Sequence, residues 1–532
     1  MDKDKKIVIS KTFAGPLNDV TATVAEAIEK LKESGGELKF QKGEYHFYKD
    51  NAAVKTLYVS NNDSGEKHIA FNLSGLENIT VDGGGSTFIF HSGVFPFAAE
   101  DCENLTVKNF RMDLSYPLVA LMQVGKKTEE GFFFKIDKGR YPYRIEDGSL
   151  IFESENGELS GKLRKFSLHR ASRGGVQYLF TGNCMDSAEN LPARYTRTDA
   201  SYSEEGVYFK YRKDIPVGLV FDEGEELLVN IASGRRIDML FFDKCSSVTV
   251  KNVIINRGEA MGIVATFCQD ILIDGFGTDI SVYNDYITLT GDALHFVNCK
   301  GLVEIKNCNI THTADDAINV HGVYTEFKKL NGREITADFK HQDHYGITPY
   351  YKGDMLDIIN NKTLEIMGRA RVENAAPINK GRSIKIICDN IEGKFEEGFF
   401  IENVTRSPDV YIHNNSFVDF PHIRLSGNGK ILVEDNRMEK CAAALYAYDL
   451  AQYWYESGRI KDLTFRNNAL IDCNFKMGKA FVNVGVSGFD GEDTPVIHER
   501  VEISGNTFEK ITHNDITAFG VKDLIIKDNV IK

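Results

Sequence analysis

Short runs of alternating apolar and polar residues recur along most of the chain, and most of them end on Asn or Asp. Asn252 and Asp274 end two such runs 22 residues apart, and Asn506 and Asn529 end two others 23 residues apart. The pattern therefore predicts one β-strand in each repeat of about 20–30 residues. The runs lie at residues 104–110, 248–253, 271–276, 303–308, 410–415, 431–436, 463–468, 501–506 and 524–529.

A repeat of this length is typical of a parallel β-helix, in which each coil stacks on the previous one and buries alternate side chains. Asn and Asp tolerate left-handed backbone geometry, so they can turn the chain from one face of a coil to the next. The alternative is a β-sandwich, whose strands would follow one another roughly every 8–12 residues with hairpin turns between them. The longer spacing favours an all-β parallel β-helix.

The open N-terminal edge of such a solenoid needs a cover. Within residues 19–34, Val24, Ile28 and Leu31 fall on one helical face, and Gly35 and Gly36 follow as a stop signal. We therefore predict an N-terminal capping helix and assign residues 1–111 to this cap and the first coils.

Two stretches, residues 112–236 and 324–402, interrupt the repeat. They contain strand-like runs at 131–136, 206–211, 355–359 and 384–388 but lack the Asn-terminated pattern. We interpret them as two β-rich insertions, since insertions into repeats map to loops on one face of a solenoid. The alternative is that they are irregular coils. Residues 237–323 then form the central coils, and residues 403–532 form the C-terminal coils.

Composition and charge exclude several classes of partner. The chain has 63 Lys and Arg against 77 Asp and Glu, a net charge of −14, with no long block of like charge. This balance argues against nucleic acid and anionic membrane surfaces as partners. The content of 42% hydrophobic and 26% charged residues is that of a globular protein with a large core.

The N-terminal residues precede no apolar segment of roughly 7–15 residues, and no run approaches the roughly 18 apolar residues of a membrane span. We expect a cytoplasmic location for the chain as given, or a periplasmic or secreted one if a leader was removed. The nine cysteines form no close pair or Cys/His cluster. We therefore predict buried free thiols rather than zinc ligands or disulfides.

The densest group of chemically active residues lies between the two insertions. Asp292 precedes Asp315 by 23 residues, which is about one coil, and Asp316 follows directly. Because stacked coils lie about 4.8 Å apart, we expect three carboxyl groups on one patch. Adjacent carboxylates raise one another's pKa, so one holds a proton while another is ionised. Hydrolysis of a glycosidic bond needs this division into acid and base.

The neighbours Asp315 and Asp316 would point to opposite faces of a regular strand. Both reach one cleft only where the chain bends, at a coil corner or a bulge. The alternative is that these acids are turn residues that cap strands. Their spacing of one coil, with Asn319 and His321 directly downstream, favours a catalytic site.

Further candidates for substrate binding surround these acids. His295 and His321 could position carboxylates or sugar hydroxyls, although His295 could also be an ordinary strand residue. Arg424 ends a strand run in a later coil, where it could bind the sugar or tune a carboxylate. Asn319 lies on the strand that follows the acidic pair.

Residues 448–458 interrupt the repeat with three successive aromatic residues, which include the single Trp of the chain. Aromatic faces such as those of Tyr448 and Trp454 bind the C–H side of a pyranose ring, and a carboxylate such as Glu456 accepts hydroxyl hydrogen bonds. The alternative is a packed loop beneath the solenoid.

Two other patterns are given structural interpretations. His341 and His344 have the spacing of a metal pair but no surrounding carboxylates and histidines, so we interpret them as part of a solvated loop. The glycine-rich run 81–86 lacks the Lys and helix of a phosphate-binding loop, so we interpret it as a coil turn. No metal or cofactor is predicted.

The motifs resemble glycoside hydrolase family 110, the α-galactosidases that cleave terminal α-1,3-linked galactose. The resemblance spans most of the chain. It implies a right-handed parallel β-helix that bears two small β-barrel domains, at 112–236 and 324–402, an inverting mechanism without a cofactor, and often a homodimer. The matching motifs are residues 291–296 with 298–301, 315–322, and 453–458 with 461–468.

Under this resemblance the family's three acidic positions fall on Asp292, Asp315 and Asp316. The arrangement is also similar to that of polygalacturonases, which implies that Asp315 is the acid and that Asp292 and Asp316 hold the water. Residues 423–426 depart from the arginine-rich pattern of the family, so the substrate contacts of that coil stay open.

The sequence thus predicts an exo-acting inverting α-1,3-galactosidase on galactose-terminated glycans, with carboxyl groups about 6.5–9.5 Å apart. A polygalacturonase-like hydrolase is the enzymatic alternative, but polyuronate substrates favour a basic cleft that the charge of −14 does not suggest. A noncatalytic carbohydrate-binding or adhesin-type β-helix predicts no clustered carboxylates. Branched, linear and algal α-1,3-galactosides all remain open as substrates.

Overall fold

The protein is a three-faced solenoid of parallel strands in the computed structural model. Each coil runs along a first face, turns onto a second face, and then crosses a third face before the next coil begins. Consecutive coils pair in parallel, as Val410 does with Ile431 on the first face. The described residues are 6–10, 18–128, 131–146, 149–154, 157–158, 168–172, 175–177, 199–203, 206–210, 223–231, 235–282, 286–473, 480–489, 491–510 and 516–532.

The strands of the coils divide among the three faces as follows. Three long strands continue from the first face onto the second: Glu77–Phe90, Glu103–Leu114 and Ser246–Ile255. The other strands of the first face are Lys6–Ile9, Gly36–Phe40, Gln269–Asp274, Lys300–Lys306, Asp409–His413, Lys430–Glu434, Asp462–Arg466, His498–Ser504 and Val521–Lys527. Those of the second are Glu44–Phe47, Gly277–Thr278, Asn309–Thr311, Ser416–Phe420, Arg437–Cys441, Ala469–Ile471, Thr507–Glu509 and Val530–Ile531.

The third face carries the candidate catalytic residues. Its parallel strands are Gly65–Asn72, Val94–Glu100, Leu240–Asp243, Ile263–Thr266, Leu294–Val297, Ile318–Val323, Ile423–Leu425, Leu445–Asp449, Val482–Val486 and Ile516–Ala518. Ala53–Leu57 pairs antiparallel at its N-terminal edge, and Glu456–Ser457 pairs antiparallel with Ile318–Val323.

Alternation of side chains accounts for the core. Val248 and Val250 are buried inside the coil, whereas Thr249 and Lys251 between and after them point outward. The same pattern in coil after coil gives one continuous apolar core along the solenoid. The predicted all-β parallel β-helix is confirmed.

Asparagine has two separate roles at the corner between the first and second faces. Asn252, Asn307, Asn414 and Asn467 adopt φ values of 52–55°, which is the predicted left-handed turn. In the C-terminal coils the residue after the turn is a second Asn, such as Asn415 or Asn468, which points inward and joins a buried ladder of amides.

The amide ladder runs through Asn415, Asn436, Asn468, Asn506 and Asn529. Each of the first four donates its Nδ2–H to the Oδ1 of the next member, at 2.9–3.1 Å. The same Oδ1 accepts the preceding member's backbone N–H at 2.9–3.0 Å. The ladder therefore pairs buried polar groups at a corner where the β-sheet hydrogen bonds stop.

The capping helix spans Thr21–Leu31. Val24, Ile28 and Leu31 are buried in the core of the first coils, as the sequence predicts. Gly35 ends the helix, since its amide donates to the Leu31 carbonyl at 2.9 Å and its φ is 67°.

Both insertions contain antiparallel strands. The second is a closed barrel of Thr325–Asn331, Glu334–Phe339, Ser383–Gly393, Ile366–Ile378, Met355–Ile359 and Phe400–Asn403 in spatial order. The described strands of the first form a seven-stranded sheet of Val119–Lys127, Gly131–Ile136, Leu168–Ser172, Gly175–Gln177, Asp199–Ser203, Gly206–Lys210 and Glu226–Asn230, and a three-stranded sheet of Tyr143–Glu146, Ser149–Ser154 and Gly157–Glu158. The exact domain boundaries stay a prediction.

Other interpretations can be compared directly with the fold. Eight cysteines are buried free thiols, as predicted, and Cys184 lies outside the described residues. Gly84 has a φ of 59° within an irregular pairing of the long strand, which confirms a coil turn in the glycine-rich run. Within the described ranges, no helix is long and apolar enough to cross a membrane.

Candidate active site

The register of the third face brings the candidate acids together. Leu294 pairs with Ile318 on the next coil, and the amide of Ala293 donates to the Asp316 carbonyl at 2.8 Å. Asp292 therefore lies next to Asp316 where the two coils enter the third face. The strand begins only at Ile318, so the preceding segment is free of the strict alternation of a strand.

One carboxylate oxygen from each of Asp292, Asp315 and Asp316 lies within 4.8 Å of the others. Two of the acids stack directly and the third is adjacent in sequence, which accounts for this proximity, and the predicted separation of about 6.5–9.5 Å between the acid and base carboxyl groups stays a prediction. Asp292 and Asp316 are buried, whereas the side chain of Asp315 is 35% exposed.

Burial and neighbouring charges shift the pKa values of the two buried acids, Asp292 and Asp316. Burial raises the pKa of Asp292 well above its usual range, and the nearby Asp315 carboxylate raises it further. Burial also raises the pKa of Asp316, against the opposing effect of the Arg424 guanidinium.

Asp315 is held from two sides. The Arg235 Nη2 lies 2.6 Å from its Oδ2, and the Thr313 hydroxyl donates to its backbone carbonyl at 2.7 Å. Its Oδ1 accepts the Asp316 amide at 3.2 Å. These contacts orient the most exposed of the three acids toward the cleft. Sequence reasoning missed Arg235, which belongs to no recognisable motif.

Two histidines extend the group of acids into the protein. The Nδ1 of His295 lies 2.6 Å from the Oδ2 of Asp292, and its Nε2 lies 3.1 Å from the Nε2 of His321. The Nδ1 of His321 donates to the Gly322 carbonyl at 2.7 Å. Burial lowers the pKa of each imidazole to about 4. Both histidines are therefore neutral at neutral pH.

The half-buried Arg424 and the buried Glu456 form an ion pair beside these histidines. The Arg424 Nη1 lies 3.1 Å from the Glu456 Oε2. The other Glu456 oxygen, Oε1, accepts a hydrogen bond from the side-chain Nδ2 of Asn61 at 2.8 Å. Burial alone would raise the pKa of Glu456, but the neighbouring His321 and Arg424 hold it at about 2. Arg424 also lies 3.7 Å from Asp316, so it bridges the ion pair and the acids.

Asn319 lies between His295 and Arg424, because it pairs with both in register. Its side chain is buried, and its Oδ1 has no hydrogen-bond partner among the described residues. The three side chains form one row across successive coils beside the acids.

The aromatic candidates are one step further from the acids. The Trp454 ring is half-buried and lies 4.5 Å from the His341 ring, measured between centroids. The Tyr448 ring stacks on Tyr446 at 4.1 Å, and the Arg424 guanidinium lies 5.1 Å from the Tyr446 ring. Trp454 and Tyr448 thus contact neighbours of the acidic site, and their sugar contacts stay a prediction.

The solvated-loop interpretation of His344 is wrong. This residue is only 1% exposed, and burial lowers its pKa to about 3. Positive charge on the nearby His321 or His341 would lower it further. The loop of the barrel that carries His344 does not project into solvent, because it packs on another part of the chain. The Asp343 carbonyl in this loop accepts a hydrogen bond from the backbone N–H of Asn61 at 3.1 Å. The His-x-x-His spacing of residues 341–344 was the signal in the sequence that could have drawn attention to His344.

Residues 57–63, which we call the bridging segment, cross from the first coils to the barrel. Tyr58 packs against Gly346 in residues 341–346, which we call the barrel loop. The backbone N–H of Asn61 donates to the Asp343 carbonyl of this loop, and its side-chain amide donates to Glu456. Asn62 donates to Asp238, a buried acid on a preceding coil. The bridging segment, the barrel loop and residues 450–457 thus border the acids. No motif in the sequence indicated this segment.

The arrangement combines two buried carboxyls whose pKa values are raised, a half-exposed carboxyl and the half-buried Arg424 guanidinium in one cleft. Such a set can donate a proton to one oxygen and orient a water with another, which is general acid–base catalysis.

A comparison with protein-family models agrees with this architecture. A family model described as "Right handed beta helix region" matches residues 345–531. The endo-xylogalacturonan hydrolase from Aspergillus tubingensis aligns with a TM-score of 0.39 at 10% identity, over 99% of this chain and 93% of that one. A polygalacturonase from Erwinia carotovora ssp. carotovora gives a TM-score of 0.39 at 8% identity, over 100% and 95%. The fold assignment rests on the family model and on the strand pairing.

Curated relatives match nearly the whole chain. It is 27% identical over 520 residues to alpha-1,3-galactosidase B of Bacteroides thetaiotaomicron, and the aligned region covers 96% of this chain and 82% of that protein. It is 27% identical to alpha-1,3-galactosidase B of Bacteroides fragilis, over 98% and 90%. It is 26% identical to alpha-1,3-galactosidase A of Shewanella woodyi, over 94% and 81%. The resemblance predicted from the motifs is confirmed.

Proposed function

We propose that this protein is an exo-acting glycoside hydrolase that releases terminal α-1,3-linked galactose from glycans. The observation that carries the proposal is the cluster of Asp292, Asp315 and Asp316, whose oxygens lie within 4.8 Å of one another on the third face. The full-length similarity to proteins named alpha-1,3-galactosidase supports the substrate class.

In the proposed mechanism Asp315 donates a proton to the leaving glycosidic oxygen. Its greater exposure supports this role, since the acid must reach the substrate. Asp292 and Asp316 orient the attacking water, and their burial next to each other supports a shared role. Arg424 favours the ionised form of Asp316, which can then accept a hydrogen bond from the attacking water and help to orient it.

Inversion of the anomeric carbon is the finer part of the proposal and rests on the resemblance. Inverting enzymes have acid and base carboxyl groups about 6.5–9.5 Å apart, and retaining enzymes have them about 5–5.5 Å apart. Proton NMR of the first product discriminates the two. Inversion gives β-galactose first, and α-galactose would refute it.

Exo action is supported by the bridging segment, which joins the first coils to the barrel at the edge of the site. A groove that is blocked on one side binds a chain end rather than an internal segment. Hydrolysis of terminal α-1,3-galactosides with no cleavage of internal linkages is the expected result.

The central test uses Asp315→Asn and Asp316→Asn on a terminal α-1,3-galactoside. Each variant should lose about 10²–10⁴-fold in kcat, the usual contribution of a general acid or base. Asp435→Asn is a matched control, because Asp435 is an exposed corner residue with a φ of 56°. Wild-type hydrolysis by both site variants would refute the catalytic assignment.

Two further properties belong to the same proposal. Comparison of branched with linear α-1,3-galactosides identifies the preferred substrate. Light scattering tests the homodimer, since a monomer has a mass of 59.7 kDa.

A further inference from the structure

A single chain of hydrogen bonds leads inward from the carboxylate cluster. It runs from Asp292 to His295, from His295 to His321, and from His321 to the carbonyl of Gly322, with heavy-atom distances of 2.6, 3.1 and 2.7 Å. Asp292, His295 and His321 are all buried. Every link therefore needs one donor and one acceptor, because water cannot readily replace a missing partner.

The direction of the chain follows from its inner end. A carbonyl only accepts, so the Nδ1 of His321 carries a hydrogen. A neutral imidazole has one N–H, and the Nε2 of His321 must then accept from the Nε2–H of His295. The Nδ1 of His295 is consequently an acceptor. The 2.6 Å contact with the Asp292 carboxyl is then a hydrogen bond only if that carboxyl supplies the proton.

The surroundings favour this distribution of protons. Burial disfavours charge on both imidazoles, which have pKa values of about 4. Burial also favours the protonated form of Asp292. The ionisable groups that face the chain are Asp315, Asp316, Arg235, Arg424, Glu456 and His344.

We propose that Asp292 is protonated in the resting protein and that Asp292, His295 and His321 relay a proton away from the attacking water. The relay deepens the proposed hydrolase function and rests on it for its catalytic part. It assigns His295 and His321 as positioning residues that act through Asp292, rather than as sugar ligands.

The relay balances its protons in one concerted shift. The water oxygen bonds to the anomeric carbon and gives a proton to the Oδ1 of Asp292. The Oδ2 of Asp292 passes its proton to the Nδ1 of His295, whose Nε2–H passes to the Nε2 of His321. The glycosidic C–O bond breaks, and the leaving oxygen takes the Asp315 proton. His321 ends as an imidazolium, and its Nε2 lies 3.6 Å from the Glu456 carboxylate.

Glu456 is arranged to stabilise this end state. Asn61 and Arg424 bind its two oxygens and keep it ionised, while the histidine end of the relay faces it. Return of the proton from His321 through Asp292 to solvent, and uptake of one by Asp315, restores the resting protein.

Nitrogen-15 NMR of histidine-labelled protein without substrate tests the resting state. Near pH 7 we expect His321 as the neutral Nδ1–H tautomer and His295 as the neutral Nε2–H tautomer. An imidazolium at His321, or an Nδ1–H tautomer at His295, would overturn the proposal. This measurement needs no activity, so it separates failure of the relay from failure of the proposed galactosidase function.

His321→Asn tests the relay in turnover. The Asn side chain can still donate to the Gly322 carbonyl, but it cannot accept a proton from His295. We expect kcat to fall about 10–100-fold, as for other groups that support a reacting side chain, with KM changed less than about threefold.

His498→Asn is the matched control, because His498 is also buried and its Nε2 donates to the Gly485 carbonyl at 2.9 Å. It lies outside the relay, so its kcat should stay near that of the native protein. Equal kcat in the two folded variants would overturn the catalytic role of the relay. Thermal unfolding of both variants identifies any loss of kcat that is due to misfolding.

Discussion

The asparagine ladder allows a worked prediction of stability. Asn468 is 1% exposed, and its side chain makes four hydrogen bonds. Its Nδ2 donates to the Val433 carbonyl at 3.0 Å and to the Asn506 Oδ1 at 3.1 Å, while its Oδ1 accepts from the amide and side chain of Asn436 at 3.0 Å each. Asn468→Ala removes all four and leaves buried groups without partners.

A net loss of about 1 kcal/mol for each hydrogen bond, with some additional cost for buried groups left unpaired, gives a destabilisation of about 3–5 kcal/mol. The neighbouring Asn467 is exposed and has a φ of 55°. Asn467→Ala should cost only about 1–2 kcal/mol, which is the price of an ordinary side chain in left-handed geometry. Two adjacent asparagines are thus expected to differ severalfold in effect.

Urea unfolding followed by circular dichroism measures both variants, with equal slopes required for the comparison. Asn529→Ala, at the last member of the ladder, should fall between the two, because Asn529 is only partly buried and has no following amide in the ladder. A free-energy loss for Asn468→Ala within about 1 kcal/mol of that for Asn467→Ala would refute the ladder's contribution.

Other predictions concern the site and its surroundings. Glu456→Gln should destabilise the fold by about 1.5–3 kcal/mol in urea, since it removes the charge of the closest anion of the half-buried Arg424 guanidinium. A loss no larger than that of Glu439→Gln, an acid in an exposed ion pair with Arg437, would contradict this. Because the pKa of Glu456 is held at about 2, below its usual 4.5, the ionised group stabilises the fold above about pH 4.5 and loses that effect as the pH falls toward 2; the difference in stability between native protein and Glu456→Gln should shrink over that range, and a constant difference would refute it. Burial raises the pKa of Asp238 to about 7, so its neutral form stabilises the fold below about pH 4 and this contribution is lost as the pH rises through 7; Asp238→Asn should be more stable than the native protein at pH 8, by about 1–3 kcal/mol, and an equal or lower urea midpoint there would contradict the assignment. Gly346→Ala places a methyl group against the Tyr58 ring at a φ of 91° and should raise KM about 3–10-fold by displacing the bridging segment, as for other supporting contacts. Gly353→Ala is the control, because Gly353 has a similar φ of 90° but open space around it. Equal KM values for the two variants would count against the role of the bridging segment.

The fold could be predicted because its determinants are local and repeated. The alternation that buries Val248 and Val250 recurs from coil to coil, as does an Asn, Asp or Gly with positive φ at the corner, so each coil reinforces the same inference. The acids could be predicted for the same reason, since Asp292 and Asp316 occupy equivalent places in consecutive coils.

The remaining parts of the site depend on chain segments that fold back from a distance. Asn61 reaches Glu456 across 395 residues, and His344 arrives from the barrel. Their positions follow from tertiary packing, which no local pattern encodes.

The bridging segment also bears on how the protein matures. A solenoid can in principle form coil by coil from any point, and its central coils already contain the three acids. The Asn61–Glu456 contact, however, joins an early part of the chain to a late one. During synthesis the acids emerge well before Glu456, so the site stays incomplete until the C-terminal coils have stacked. Gain of activity during refolding would then report the last long-range closure of the chain rather than the appearance of β-structure.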